Sequence, residues 1–142
     1  PGVPDRTREI DPAATALADG QYWAQLTGTS DGEQPSVTFL LTQALFADAC
    51  IQQLGDDACT NGFGTVDEPS RTVDAPVDAL TAVTVVGEDQ QNYAVTGQEL
   101  LALAGGTTPD TAAPAAFRYG PLPFLVTARG GTIVEAHQIW VP

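Results

Sequence analysis

A chain of 142 residues, 43% of them apolar, is long enough to bury one core and too short for two. Eighteen acidic residues against five arginines and no lysine leave a net charge of −13, which excludes nucleic acid as a partner, because a polyanion needs cationic side chains to displace its counterions. The same charge argues against docking on an anionic membrane, and with no run of about 20 apolar residues no membrane-spanning segment is expected.

Residues 1–18 hold three prolines, mixed charges and few large apolar side chains, and read as a flexible N-terminal tether. A single α+β domain is expected over residues 19–142. Residues 21–27 have the β-rich, partly alternating pattern of a strand, residues 30–33 supply a turn, and residues 36–40 begin a second strand, which predicts a hairpin. Leu40, Ala44, Ala47, Ile51 and Leu54 then recur at helical spacing and predict an amphipathic helix stopped by Gly55.

Residues 61–76, rich in Gly, Asp, Pro and Thr, read as an ordered loop or short extended segments. Residues 80–86 are β-branched and predict a strand. Thr96-Gly97-Gln98-Glu99 fits a capping box, followed by Leu100, Leu101, Leu103 and a stop at Gly105, so a short helix is predicted from Gly97 to Ala104. Residues 106–121 carry three prolines and read as a surface loop, mobile in part. A closing hairpin follows, with strands at 122–128 and 132–141 around Arg129-Gly130-Gly131. These elements give an α+β fold, mainly an antiparallel twisted sheet or open barrel of five to seven strands with two short helices.

Cys50 and Cys59 are the only cysteines, closely spaced and without a metal-ligand pattern around them, and they predict a disulfide tying the helix end to the loop after it. The chain has no methionine, so removal of its translated start is expected; a cleaved export signal, a shortened chain and loss of an initiator before Pro1 would each explain this. Together with the cysteine pair, an extracytoplasmic location is expected.

Four blocks carry a resemblance. They are Asp19-Gly20-Gln21-Tyr22, then Val37-Thr38-Phe39, then Asn61-Gly62-Phe63-Gly64 with Arg71 after it, and finally Phe124-Leu125-Val126-Thr127 with a Gly-Gly turn and the end Trp140-Val141-Pro142. Over residues 19–142 the chain resembles a family of uncharacterised secreted proteins and lipoproteins from actinobacteria. It departs from that family's pattern in lacking consecutive aromatics around Asn61 and in having Glu135-Ala136-His137 where two neighbouring acids are usual. The resemblance implies an extracytoplasmic location and a mostly β architecture, and it brings no known activity.

His137 is the only histidine, so imidazole catalysis must run through it. None of Ser30, Ser36 and Ser70 lies in a nucleophile elbow, and no catalytic residue is assigned. Alternation along the last strand puts Ile133, Glu135, His137, Ile139 and Val141 on one face and Thr132, Val134, Ala136, Gln138 and Trp140 on the other, both mixed, with Glu135 and His137 about 7 Å apart, near enough for electrostatic support and too far for a direct hydrogen bond. One histidine and two paired cysteines leave too few ligands for zinc, and the acidic pairs Asp56-Asp57, Asp67-Glu68 and Glu88-Asp89 lack the spacing of a calcium loop, so no metal site is assigned. No nucleotide-binding glycine motif is present and no cofactor is expected. Arg71, among Asp67, Glu68, Asp74 and Asp78, suits an internal ion pair, with ligand binding as its other reading. Tyr22, Trp23, Phe63, Tyr119 and Trp140 either fill the core or line a groove.

The expected function is therefore an extracytoplasmic, non-catalytic binding domain for a protein, peptide or cell-wall component, with binding residues and oligomeric state left open. Two alternatives stand beside it: an envelope-associated hydrolase, which needs His137 beside a carboxylate and a hydroxyl, and a secreted inhibitor with residues 56–69 as its reactive loop.

Overall fold

The computed structural model describes residues 4–107 and 117–141. The chain runs β1 (Gly20–Ser30), β2 (Ser36–Phe46), α1 (Ala47–Leu54), a 3-10 turn (Asp56–Cys59), β3 (Phe63–Pro76), a second 3-10 turn (Val77–Ala79), β4 (Ala82–Val86), β5 (Asn92–Val95), α2 (Gly97–Ala104), β6 (Phe124–Arg129) and β7 (Thr132–Gln138). The seven strands make one open sheet in the order β3-β2-β1-β6-β7-β4-β5. Every neighbouring pair is antiparallel except β4 with β7. This is the α+β architecture with two short helices that the pattern predicts.

The first hairpin pairs β1 with β2 from Trp23 opposite Thr42 to Ser30 opposite Ser36. The predicted helix from Leu40 to Leu54 is corrected: β2 continues to Phe46 and α1 covers only Ala47–Leu54. A spacing of four suits either period, and β2 is buried on both faces between Leu41 and Leu45, so its apolar run belongs to a central strand. The stretch read as a loop over residues 61–76 contains the 14-residue edge strand β3. Its ladder with β2 jumps from Leu41 opposite Arg71 to Gln43 opposite Val66, so Asp67, Glu68, Pro69 and Ser70 leave the regular pairing and punctuate the sequence like a loop.

Strand alternation sends Tyr22 and Ala24 of β1, Val37 and Phe39 of β2, and Phe124 and Val126 of β6 to one face, where they form the core with Val83 and Val85 of β4. Helix α2 covers this inner face with Leu100, Leu101 and Leu103. Its capping box is complete: Glu99 N donates to Thr96 Oγ1 at 3.1 Å and Thr96 N donates to Glu99 Oε1 at 2.9 Å. Gly97 is required by contact, because a Cβ there would meet the Val77 carbonyl oxygen at 2.3 Å.

The disulfide joins Cys50 to Cys59 with Cα atoms 6.1 Å apart, Cys50 lying mid-helix and Cys59 in the 3-10 turn. Leu45, Leu54 and Val66 pack around it as a second small core. Residues 4–18 differ from the expected tether. Phe46 N donates to Asp5 O at 2.8 Å, Thr7 N to Ala44 O at 2.9 Å and Arg8 N to Gln21 O at 2.8 Å, so the segment bridges β2 and the start of β1. Two apolar side chains suffice to anchor the rest of it: Ile10 and Leu17 are buried in the main core.

Strand β7 ends at Gln138, short of the predicted Val141. A bulge at Val134 lets Ala128 face Ile133 while Thr127 faces Glu135. Ile133 therefore shares the inner face with Ala136 and Gln138, and Glu135 and His137 stay outside, which replaces the two mixed faces that strict alternation predicts. The Gln138 side chain is buried yet satisfied, accepting from Val86 N at 2.9 Å and donating to Gly120 O at 2.7 Å. Most of the predicted loop over residues 106–121 lies outside the described residues.

Candidate functional site

The outer face of the sheet carries an aromatic cleft. Because Tyr22 and Ala24 point into the core, Trp23 between them points outward. Phe46 and Phe63 face each other across the β2–β3 ladder and join it on the same side. Trp23 lies 5.8 Å from Phe46 and 5.1 Å from Phe63, centroid to centroid, within the range of favourable aromatic packing. The turn before β3 is held to α1 by Ala47 N, which donates to Gly62 O at 2.9 Å. Ala47 adopts φ 50, a left-handed conformation unusual for a residue with a Cβ.

After β7 the chain crosses this face. Ile139 N donates to Pro123 O at 2.8 Å, which fixes the path of residues 139–141. They wall a cleft of about 350 Å³ whose lining also includes Asp5, Trp23, Phe46, Asn61 and Phe63. Trp23 forms the floor at 2% exposure, whereas Trp140 on the wall is 43% exposed. Among the described residues Asp5 is the one charged residue in the lining.

A polar row continues from the floor. Trp23 faces Leu125, Leu125 faces His137, and His137 faces Thr84, so all four share the outer face, with His137 roughly 10 Å from Trp23 at the usual strand spacing. His137 Nδ1 lies 2.9 Å from Thr84 Oγ1, and Nε2 lies 3.1 Å from Glu135 Oε1. Both ring nitrogens are thus engaged, Nε2 by the Glu135 carboxyl group and Nδ1 by the Thr84 hydroxyl. Arg129 Nη2 stands 3.5 Å from Glu135 Oε2.

The expected separation of Glu135 and His137 is thus corrected: strand rise measures backbone, and two long side chains on one face lean together across it. A hydroxyl, an imidazole and a carboxylate are in series, as a hydrolase requires. The neighbouring backbone works against that chemistry. His137 sits on a strand paired on both sides, and Thr84 lies between β7 and β5, so ladder bonds occupy the N–H groups that an oxyanion site would need.

No protein-family model, curated protein or solved structure matches this chain.

The aromatics named from the sequence separate cleanly. Trp23, Phe63 and Trp140 line the aromatic cleft, while Tyr22 is buried in the core with its hydroxyl donating to Ala18 O at 2.7 Å. Tyr119 lines two other clefts, of about 270 and 320 Å³, beside α2. Burial pushes its phenol up to about 12. Arg71 makes no ion pair among the described residues and donates instead to Asp11 O at 3.4 Å. Asp74 is engaged by Thr38 Oγ1 at 2.7 Å. The stretch proposed as an inhibitor loop is a 3-10 turn at Asp56–Cys59 followed by the first half of β3. Among the described residues no group of three or more His, Cys, Asp or Glu side chains could hold a metal.

Sequence reasoning missed Phe46 and Asp5. Phe46 fell inside the predicted helix, where its direction could not be read, and Asp5 fell inside the predicted tether. Leu125, 8% exposed on the outer face between two core residues, is the signal that this face is partly covered.

Proposed function

We propose that this chain is an extracytoplasmic, non-catalytic binding domain that holds a protein, peptide or cell-wall component on the outer face of its sheet. The aromatic cleft carries the reading: an exposed indole over an apolar floor is a ready anchor for a ligand group, and its volume is at the lower end for ligand sites. The location is supported by the disulfide between two buried sulfurs, a bond that persists in oxidising compartments. Among the described residues no helix is long and apolar enough to cross a membrane. Membership of the actinobacterial secreted and lipoprotein family belongs to the same proposal.

Titration with short peptides and peptidoglycan fragments, followed by indole NMR signals, tests the reading. Ligand-dependent shifts at Trp23 and Trp140 that disappear in Trp140→Ala are expected. Shifts confined to other parts of the chain would refute the cleft as the anchor.

The hydrolase is kept as a second reading by one observation, the Thr84–His137–Glu135 series. Its mark is turnover of an ester or amide substrate that falls by about a hundredfold or more in both Thr84→Val and His137→Ala.

A further inference from the structure

The aromatic cleft has a charge preference as well as a shape. Its lining is rich in aromatic rings, whose faces carry negative charge and attract cations, and among the described residues its one charged lining residue is Asp5, a carboxylate. None of the five arginines lines it. The chain around it carries a net charge of −13, a field that raises the local concentration of cations and repels anions. The lining and the surrounding charge therefore favour the same sign of ligand.

We propose that the cleft takes a cationic side chain, an arginine or lysine presented by a basic extended peptide, with the cation against the Trp140 indole and the Asp5 carboxylate. This rests on the binding role proposed for the cleft and names its ligand class. Trp140 is the ring exposed to meet a ligand, since Trp23 is packed against Phe46 and Phe63 and nearly closed to solvent. A single long side chain suits the site: its alkyl stem crosses the apolar wall while the head reaches the carboxylate.

Both tryptophans of the chain line the cleft, so intrinsic fluorescence reports its occupancy directly. The probes are capped tripeptides Gly-Arg-Gly and Gly-Lys-Gly, with Gly-citrulline-Gly and Gly-norleucine-Gly as neutral counterparts of matching shape. The cationic peptides are expected to bind at least about fivefold more tightly than their neutral counterparts, the size of a partly desolvated cation–aromatic contact. The preference should shrink in about 0.5 M salt and in Asp5→Asn, and binding should be lost in Trp140→Ala, an exposed position whose replacement leaves the core intact.

Equal binding of the arginine and citrulline peptides would overturn the cationic ligand and leave a binding cleft of neutral preference. Binding of a peptidoglycan fragment with no response to any tripeptide would have the same meaning. Silence towards every probe would remove both the cation and the binding role. A shift that depends on protein concentration without peptide, matched by dimers in sedimentation, would place a second copy of the chain in the cleft and overturn the peptide.

Discussion

Thr84 Oγ1 meets His137 Nδ1 at 2.9 Å across the one parallel pair of the sheet, joining β4 to β7 through side chains where the ladder is short. With Glu135 on the other ring nitrogen, the imidazole acts as a clasp at this joint. His137→Ala is expected to lower stability by about 1–2 kcal/mol and Thr84→Val by about 1 kcal/mol, read from denaturant midpoints, because each removes one or two partly exposed hydrogen bonds. Ligand binding in the aromatic cleft should stay within a few-fold of wild type in both. Unchanged midpoints would show that the clasp contributes nothing to the joint.

The Cys50–Cys59 bond closes a short loop over the second core. Replacing both cysteines by alanine should cost about 2–3 kcal/mol on the chain-entropy estimate. Intact mass with a thiol reagent gives the direct check: no labelled thiol before reduction and two after. Labelling of freshly purified, unreduced protein would refute the bond.

Two substitutions at the start of α2 separate capping from contact. Thr96→Ala removes the cap and should cost about 1 kcal/mol. Gly97→Ala improves helix propensity, yet its methyl would press on the Val77 carbonyl oxygen at 2.3 Å, a backbone atom that cannot swing aside as a side chain would, and a loss of about 2–3 kcal/mol is expected. Thermal melts of the two variants rank them, and a stabilised Gly97→Ala would mean that the Val77–Ala79 turn yields freely.

Tyr119 sets an alkaline limit. Its phenol ionises near 10.0 in the unfolded chain and about 12 in the folded one, because burial disfavours the phenolate. The unfolded state therefore loses its proton first, and the contribution, complete below pH 10, falls away as pH climbs through the window to 12. The loss is at most about 2 kcal/mol after allowance for the partly solvated ring. Tyr93, raised by its hydrogen bond to Asp89, titrates in the same direction, so the difference between wild type and Tyr119→Phe isolates the term. Parallel stability curves between pH 9 and 12 would contradict it, since about this range brackets both ionisations.

The legible parts of the fold were those with local chemistry. The cap at Thr96 and Glu99 located α2 to the residue, and Gly130-Gly131, both at positive φ, located the closing turn. Failures came where two rules give the same pattern. Leu40 and Ala44, four apart, satisfy a helix and a strand face alike, and only the pairing of β2 with neighbours on both sides decides between them. β5, four residues long, carries too short a pattern to register. The bulge at Val134 depends on β6 as well as β7, so alternation read along one strand misplaced Ile133. The cleft was half legible: the aromatic residues were named, but their convergence is set by the long-range pairing that brings Phe46, Phe63 and Trp23 together.

The order of the sheet has a consequence for how the molecule comes into being. β1, β2 and β3 form a meander from neighbouring sequence, and β4 with β5 forms a local hairpin, yet nothing in the ladder connects these two units until β6 and β7 are in place. The last strand made is the one that lies in the middle, between β6 and β4. A ribosome-bound chain lacking β7 thus holds two unjoined half-sheets with bare edges, and the whole sheet closes late, by contacts between distant parts of the chain. Chain termination before Thr132 would accordingly leave an aggregation-prone pair of fragments rather than a smaller version of the domain.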